Sequence, residues 1–212
     1  MEAIQITDEM LAHLRLAVRE RMSDNRYQHT LSVEGECARL ASYYFPEKEN
    51  ALRAAALLHD VSKALSTEDH LLLAEHARIP LPRGAERFPA VLHSYTAEAV
   101  IRLHFPEFAS EEILSAIRRH TVGHPNMSTF DKLLFLADYI EPTRRHESCR
   151  ALRREFYAAL NDAGSAPEAA LALDRAIYRA VSQTVTHLEA EQLPILPETY
   201  EVYKAFSERI SG

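Results

Sequence analysis

Apolar residues recur at helical spacing along almost the whole chain, and no stretch alternates convincingly between apolar and polar residues as a strand does. Glycine is scarce, with 5 in 212 residues, whereas alanine and leucine are frequent, which favours helices over sheets. The pattern predicts an all-α bundle in a single domain over 1–212, with a core at about 20–145 and a C-terminal helical extension at about 146–212. The expected helices cover residues 7–22, 26–44, 46–60, 68–77, 94–104, 111–119, 130–140, 149–160, 167–188 and 197–210.

Composition argues against several classes of protein. The net charge of −7 disfavours a sequence-independent binder of nucleic acid, because such proteins carry a basic face. Cys37 and Cys149 lie far apart, which argues against a disulfide framework or a zinc finger. No signal peptide is visible and no apolar run approaches the ~20 residues that span a bilayer, so we expect a cytoplasmic protein with no membrane partner. The long C-terminal helices could pair two copies of the chain as a homodimer.

One apolar run, residues 50–58, ends in two strongly hydrated side chains, His59 and Asp60. Burying both costs several kcal/mol unless something pairs with them, and a divalent metal is one such partner. Neighbouring helical residues point about 100° apart, so one ion at the helix end can take a ligand from each. Since a His-Asp pair is common by chance, its meaning depends on whether further ligands lie nearby.

Further candidates occur at helix ends or inside apolar helices: His29, His93, His120 and Asp138. Taken alone, His29 is more often a structural histidine, and Asp138 could be a hydrogen-bonded acid of the core. Together with the His59-Asp60 pair they supply imidazole and carboxylate ligands, which suit first-row metals such as Fe, Mn or Zn. A metal in such a set would lower the pKa of bound water and supply hydroxide at neutral pH.

The candidates stand within longer motifs. These are Arg26-Tyr27-x-His29 followed by Val33, Leu57-Leu58-His59-Asp60-x-x-Lys63, Leu92-His93-Ser94, Arg119-His120-Thr121-x-Gly123 and Leu133-x-x-Leu136-Ala137-Asp138-x-Ile140-Glu141-Pro142-x-Arg144. As a set, over about 26–145, they resemble the YqeK family of bacterial symmetrical diadenosine tetraphosphatases, within the HD superfamily of metal-dependent phosphohydrolases. The resemblance implies an HD-domain helical bundle that hydrolyses diadenosine tetraphosphate (Ap4A) to two ADP by metal-bound hydroxide.

The resemblance also implies roles for particular residues. Iron, as one or two ions, would be bound by His29, His59, Asp60 and Asp138, with Mn, Co, Ni or Zn as other candidates. Catalysis would involve Asp60, His93 and His120. The dinucleoside polyphosphate substrate and the ADP product would contact Arg26, His29, Asp60, Val61, Ser62, Lys63, His93, His120, Thr121 and Arg144.

Several roles stay open at this stage. His93 and His120 could bind a second metal, or they could donate hydrogen bonds to phosphate or to the leaving group, which the resemblance favours. Arg26 and Lys63 could instead be solvated, and Arg144 with Arg145 could bind the distal phosphates or cap a helix. The alternative functions are a nucleotidase or alarmone hydrolase, and a non-catalytic module that binds nucleotide or metal.

The remaining predictions concern residues outside these motifs. His124 stands where the family often carries arginine, which puts one phosphate contact in doubt. The run 71–74 is expected in the core, and Thr67 is expected to cap the helix that contains it. The histidines expected on the surface are His13, His70, His76, His104, His146 and His187.

Overall fold

The computed structural model describes residues 5–211, and within them ten α-helices and four short 3-10 helices occur without any strand. The α-helices are α1 (Asp8–Arg19), α2 (Asp24–Tyr44), α3 (Glu49–Leu58), α4 (Thr67–His76), α5 (Leu92–His104), α6 (Glu111–Arg119), α7 (Thr129–Ile140), α8 (Glu147–Asp162), α9 (Ala166–Ala190) and α10 (Pro197–Ser211). The predicted all-α class is therefore confirmed. None of the helices in the described part of the chain is long and apolar enough to cross a bilayer.

Side chains cap the starts of several helices, whereas α3, α5 and α8 have no side-chain cap. The side chains of Thr7, Ser23, Ser110 and Ser128 each accept a hydrogen bond from the backbone three residues later. The prediction that Thr67 caps α4 is wrong, because Ser66 is the N-cap and accepts from the backbone N–H of Asp69. The helix therefore begins one residue earlier than expected, at Thr67.

The helix that precedes the His59-Asp60 pair is shorter than the predicted 46–60. Pro46–Lys48 forms a 3-10 turn, and α3 itself covers Glu49–Leu58. His59 and Asp60 lie in the turn that follows, and the ring nitrogen Nδ1 of His59 donates to the carbonyl oxygen of Ala56 at 2.6 Å. The two polar side chains are thus fixed at the end of a buried helix rather than within it.

The core forms around α3, which packs against α1, α2, α6 and α7. Its residues 54–58 are all 0% exposed, and three consecutive alanines among them allow close approach of neighbouring helices. Along the C-terminal part, α9 packs against α7, α8 and α10, and α10 buries Val202 and Phe206 completely. The C-terminal helices therefore extend the same apolar core, where each fully buried side chain of this size contributes about 1.5–3 kcal/mol.

The packing of α4 contradicts two of the predictions. The run 71–74 is mostly not core, since Leu72 is 46% exposed and only Ala74 is buried. His70, expected on the surface, is only 3% exposed and its Nδ1 lies 2.7 Å from Oγ1 of Thr96 on α5. The reason is that α4 turns the face formed by positions i and i+4, His70 and Ala74, toward α5. The other five histidines of that group are exposed, as expected.

Candidate active site

Helix ends bring the predicted histidines and aspartates to one place in the bundle. They are His29 in α2, His59 and Asp60 directly after α3, His93 in the first turn of α5, His120 directly after α6, and Asp138 in the last turn of α7. The contacts of α3 with α2, α6 and α7 account for most of this convergence. All of these side chains except Asp138 are buried, and Asp138 is half-buried.

Four of these residues face one another within coordination range, and we call His29, His59, Asp60 and Asp138 the four-residue cluster. The Nε2 atom of His29 lies 3.0 Å from Oδ1 of Asp138 and 3.9 Å from Oδ2 of Asp60. The Nε2 atom of His59 lies 3.3 Å from the same Oδ2 atom. Side chains that are 109 positions apart in sequence therefore meet, since His29 lies on α2 and Asp138 on α7.

The hydrogen bonding of the two imidazoles fits a divalent cation. Nδ1 of His29 donates to Oε1 of Glu141 at 3.1 Å, and Nδ1 of His59 donates to the carbonyl of Ala56. Both Nε2 atoms are buried and have no hydrogen-bond partner among the described residues. A proton held on Nδ1 leaves a lone pair on Nε2, and that lone pair is the atom that binds a metal. The two orphaned nitrogens beside two carboxylates are a donor set that such an ion satisfies.

His120 adds a further nitrogen donor beside this cluster. In each of two overlapping groups, the nitrogen and carboxylate oxygen atoms that could bind a metal lie within 4.8 Å of one another. One group is His29, His59 and Asp138, and the other is His59, Asp60 and His120. Nδ1 of His120 donates to the carbonyl oxygen of Ile117 at 2.6 Å, so its Nε2 also faces the cluster as an acceptor. Burial, with His59 and His93 nearby, lowers the pKa of His120 to about 3, so the ring is neutral near pH 7.

The two aspartates of the cluster are held as carboxylates. Burial alone would raise the pKa of Asp60, but the adjacent His59 and His93 hold it well below its ordinary range. Burial opposes ionisation of Asp138 as well, but the neighbouring His29, His59 and Arg144 lower its pKa. Both side chains are therefore anionic at neutral pH.

Two arginines pair with these carboxylates. Nη1 of Arg26 donates to Oδ2 of Asp60 at 2.8 Å, and Nη2 of Arg144 donates to Oδ1 of Asp138 at 2.6 Å. Both arginines, together with Arg145, line a cavity of about 390 Å³ beside His29. A larger cavity of about 910 Å³ lies near α1, α3 and α6, but none of the candidate site residues lines it.

A second group of polar side chains faces the other carboxylate oxygen of Asp60, Oδ1. Oδ1 of Asp60 is 3.2 Å from Nε2 of His93, which lies 3.1 Å from Nε2 of His120. Nζ of Lys63 lies 3.1 Å from Nδ1 of His93, and Oγ1 of Thr121 lies 3.0 Å from Nε2 of His120. Burial lowers the pKa of Lys63, although Asp60 opposes the shift. The structure thus brings the expected substrate contacts Lys63, His93, His120 and Thr121 together.

Val61, Ser62 and His124 differ in position from the other candidate residues. The side chains of Val61 and Ser62 are 4% and 2% exposed, and the Ser62 hydroxyl donates to the carbonyl of His93 at 3.0 Å. These side chains therefore support the site from the interior. His124 is exposed, but partial desolvation of its ring, with Arg119 nearby, lowers its pKa, so it does not replace the positive charge of an arginine.

Sequence reasoning assigned no role to Glu141 and misplaced His70. Glu141 is 1% exposed and its carboxylate accepts from His29 and from the hydroxyl and backbone N–H of Thr143. The sequence offers one indication of a role for Glu141: it lies directly between Ile140 and Pro142, and a buried acid needs a hydrogen-bond or ionic partner. His70 offered no comparable signal, because its burial depends on which face of α4 meets α5.

The chain is similar to known proteins over most of its length. The protein-family model described as the HD domain matches residues 26–143 of this chain. The chain is 31% identical to a Halalkalibacterium halodurans protein named symmetrical bis(5'-nucleosyl)-tetraphosphatase, over 88% of this chain and 91% of that one. A Bacillus subtilis protein of the same name is 26% identical over the same shares. A crystal structure from Clostridium acetobutylicum, described as a predicted HD superfamily hydrolase involved in NAD metabolism, has a TM-score of 0.79 and 26% identity, covering 93% of this chain and 97% of that one.

Proposed function

The chain belongs to the HD domain family, and we propose that it hydrolyses diadenosine tetraphosphate symmetrically to two ADP. The relatives whose names give this activity match 88% of this chain and 91% of their own length, so the proposal applies to the chain as a whole. Within residues 5–211 the observation that carries it is the pair of buried, unpartnered Nε2 atoms of His29 and His59 beside Asp60 and Asp138.

The family binds a divalent metal, and His29, His59, Asp60 and Asp138 are the residues that would hold it. We propose iron, with Mn, Co, Ni and Zn as the ions to compare. When bound, such a metal acidifies water and offsets the charge of phosphate oxygens. The acceptor role of Nε2 in His120 suits a cation better than a phosphate oxygen, which supports a second ion there.

The chain's own residues supply charge and orientation for the reaction. A water oxygen attacks one of the two inner phosphorus atoms, the central P–O bond breaks, and ADP leaves with the bridging oxygen. Arg26 and Arg144 lie beside the carboxylates of the cluster, where their guanidinium groups can turn to inner phosphate oxygens. Lys63 and His93, on the other side of Asp60, can donate to the phosphate of the departing ADP.

Product analysis of the metal-loaded protein tests this function. Protein prepared without oxygen and loaded separately with Fe(II), Mn, Co, Ni or Zn is incubated with diadenosine tetraphosphate, and nucleotides are separated by chromatography. We expect ADP as the only product and the highest kcat/KM with Fe(II). Release of AMP with ATP, or no release with any metal, contradicts the proposal. Parallel assays with mononucleotides and guanosine tetraphosphate test the nucleotidase and alarmone-hydrolase alternatives.

A further inference from the structure

The cavity beside His29 is built from polar side chains of two segments, 23–29 and 141–146. Its volume is about 390 Å³, at the lower end of the ~300–1,000 Å³ typical of ligand pockets. The residues that line it are Ser23, Asn25, Arg26, His29, Glu141, Thr143, Arg144, Arg145 and His146. It lies directly against the four-residue cluster, because His29 belongs to both.

The charge of this lining is positive. It carries three guanidinium groups, from Arg26, Arg144 and Arg145, against a single carboxylate, that of Glu141. The carboxylate of Glu141 accepts hydrogen bonds from His29 and Thr143 and offsets only one of these three positive charges. The cavity therefore attracts an anionic ligand, although the chain as a whole is acidic.

Helix geometry reinforces this charge. The helices α2 and α8 begin at the cavity, with Ser23 and His146 as their N-cap residues. The start of a helix carries positive partial charge and free backbone N–H groups, which bind anions. At α8 no side chain caps these groups, since His146 makes no capping hydrogen bond.

Asp60 separates the cavity from the second polar group. Its Oδ2 atom faces Arg26 at 2.8 Å, on the cavity side, whereas its Oδ1 atom faces His93 at 3.2 Å. Neither His93 nor Lys63 lines the cavity. Positive or hydrogen-bonding groups therefore lie on both sides of the cluster, which suits a substrate that is cleaved at its centre and carries phosphates on both sides of the scissile bond.

We propose that this cavity binds the phosphates of one nucleotide half of the dinucleoside polyphosphate, while the other half lies on the side of Lys63 and His93. This inference rests on the proposed function and specifies how the two halves are placed. Arg145 is the residue that determines specificity for a two-nucleotide substrate. Unlike Arg26 and Arg144, it is exposed and forms no ion pair with any described residue, so its charge is available to a ligand.

Binding of a substrate analogue tests the assignment without turnover. In the analogue a methylene group replaces the central bridging oxygen of diadenosine tetraphosphate, so the bond that would break is absent. Its dissociation constant for the metal-loaded full chain is measured by calorimetry for wild type, Arg145→Ala and Arg150→Ala. We expect Arg145→Ala to weaken binding about tenfold or more, as the loss of a charge-assisted phosphate contact does. Arg150→Ala removes the same charge from α8 outside the cavity and should stay within about twofold of wild type.

ADP in the same titrations separates the two halves of the site. The proposal expects Arg145→Ala to weaken ADP binding much less than binding of the analogue, because a single nucleotide can occupy the Lys63 side alone. Equal losses for both ligands, or no loss for the analogue, overturn the assignment. Since the analogue is not hydrolysed, this result is independent of turnover: failure to release ADP from the natural dinucleotide would reject the proposed activity and leave the binding result interpretable.

Discussion

Nδ1 of His29 lies 3.1 Å from Oε1 of Glu141, a carboxylate whose side chain is 1% exposed. The hydroxyl of Thr143 donates to the same oxygen at 2.6 Å, and the backbone N–H of Thr143 donates to the other at 2.5 Å. Burial opposes ionisation, but these hydrogen bonds lower the pKa of Glu141 to about 2. Of the three imidazoles that direct Nε2 into the cluster, His29 alone has an anionic acceptor, because His59 and His120 donate to backbone carbonyls.

The first prediction is that Glu141→Gln weakens metal binding by about 10- to 100-fold. Glutamine keeps an acceptor oxygen for His29 but removes the negative charge that raises the basicity of the ring. Competition with a chelator of known affinity measures the change. Glu147→Gln, an exposed residue at the start of α8, serves as the control and should leave the affinity unchanged. An unchanged affinity in Glu141→Gln would show that Glu141 has no influence on the cluster.

The second prediction concerns Asp60, whose two oxygens face Arg26 and His93. Asp60→Asn keeps the volume but replaces an anionic ligand, so the bound metal per chain should fall and turnover should drop by roughly 100-fold or more. Helical content should stay near that of wild type, because Asp60 follows α3 and is not part of its core. Elemental analysis, product chromatography and circular dichroism measure the three quantities. Asp162→Asn, exposed at the end of α8, is the control. Full turnover with normal metal content would reject the assigned role.

The sequence predicted the helices and the family well because both depend on local patterns and on motifs of fixed spacing. The resemblance to the HD superfamily is confirmed by the family match and the structural neighbour. It also named the four cluster residues, and the structure brings these together. Their role as ligands remains a prediction that the variants above address.

What the sequence did not provide depends on contacts between helices. The hydrogen bond between His29 and Glu141 joins residues 112 positions apart, and no local pattern reports which acceptor a buried imidazole has. Leu71, Leu72 and Leu73 resemble a core segment, yet α4 contacts α5 through His70 and Ala74 instead. Apolar periodicity indicates a helix but cannot identify the buried face when charged and apolar positions are mixed.

The third prediction concerns the turn after α6, where Gly123 lies close to α10. Gly123 follows His120 and Thr121 with a φ of 82°, and a Cβ atom there would lie 3.1 Å from Cγ1 of Val202 on α10. Gly123→Ala should therefore lower the free energy of unfolding by about 1–3 kcal/mol, through backbone strain and the close contact together. Denaturation with urea measures this change.

Gly35→Ala is the matched control, because a Cβ atom at this position in α2 would have no heavy atom within 4 Å. In a helix interior this change should stabilise by roughly 0.5–1 kcal/mol. Combining Gly123→Ala with Val202→Ala should cost less than the sum of the two single changes, because the contact is relieved while the strain remains. Full additivity would show that Val202 does not limit this position.

The fourth prediction concerns the pH dependence of stability. His70 is 3% exposed and hydrogen-bonded to Thr96, and burial lowers its pKa to about 4, with His93 and Lys63 contributing and Asp69 opposing. In the unfolded chain the same group takes up a proton near pH 6.5. Between these two values the unfolded state binds more protons than the folded state, so stability rises with pH. The contribution of His70 is complete above about pH 6.5 and is lost as the pH falls toward 4.

Replacing His70 with glutamine should therefore flatten the loss of stability on acidification. Between pH 7.5 and pH 5 the wild type should lose about 2 kcal/mol more than His70→Gln, measured by urea denaturation of metal-free protein at each pH. Other buried histidines titrate in both proteins, so the difference between the two curves isolates His70. His76→Gln lies on the same helix but is exposed, and its curve should follow the wild type. If His70→Gln lost as much stability as the wild type on acidification, His70 would have to take up its proton in the folded protein near its ordinary pKa, despite its burial against α5.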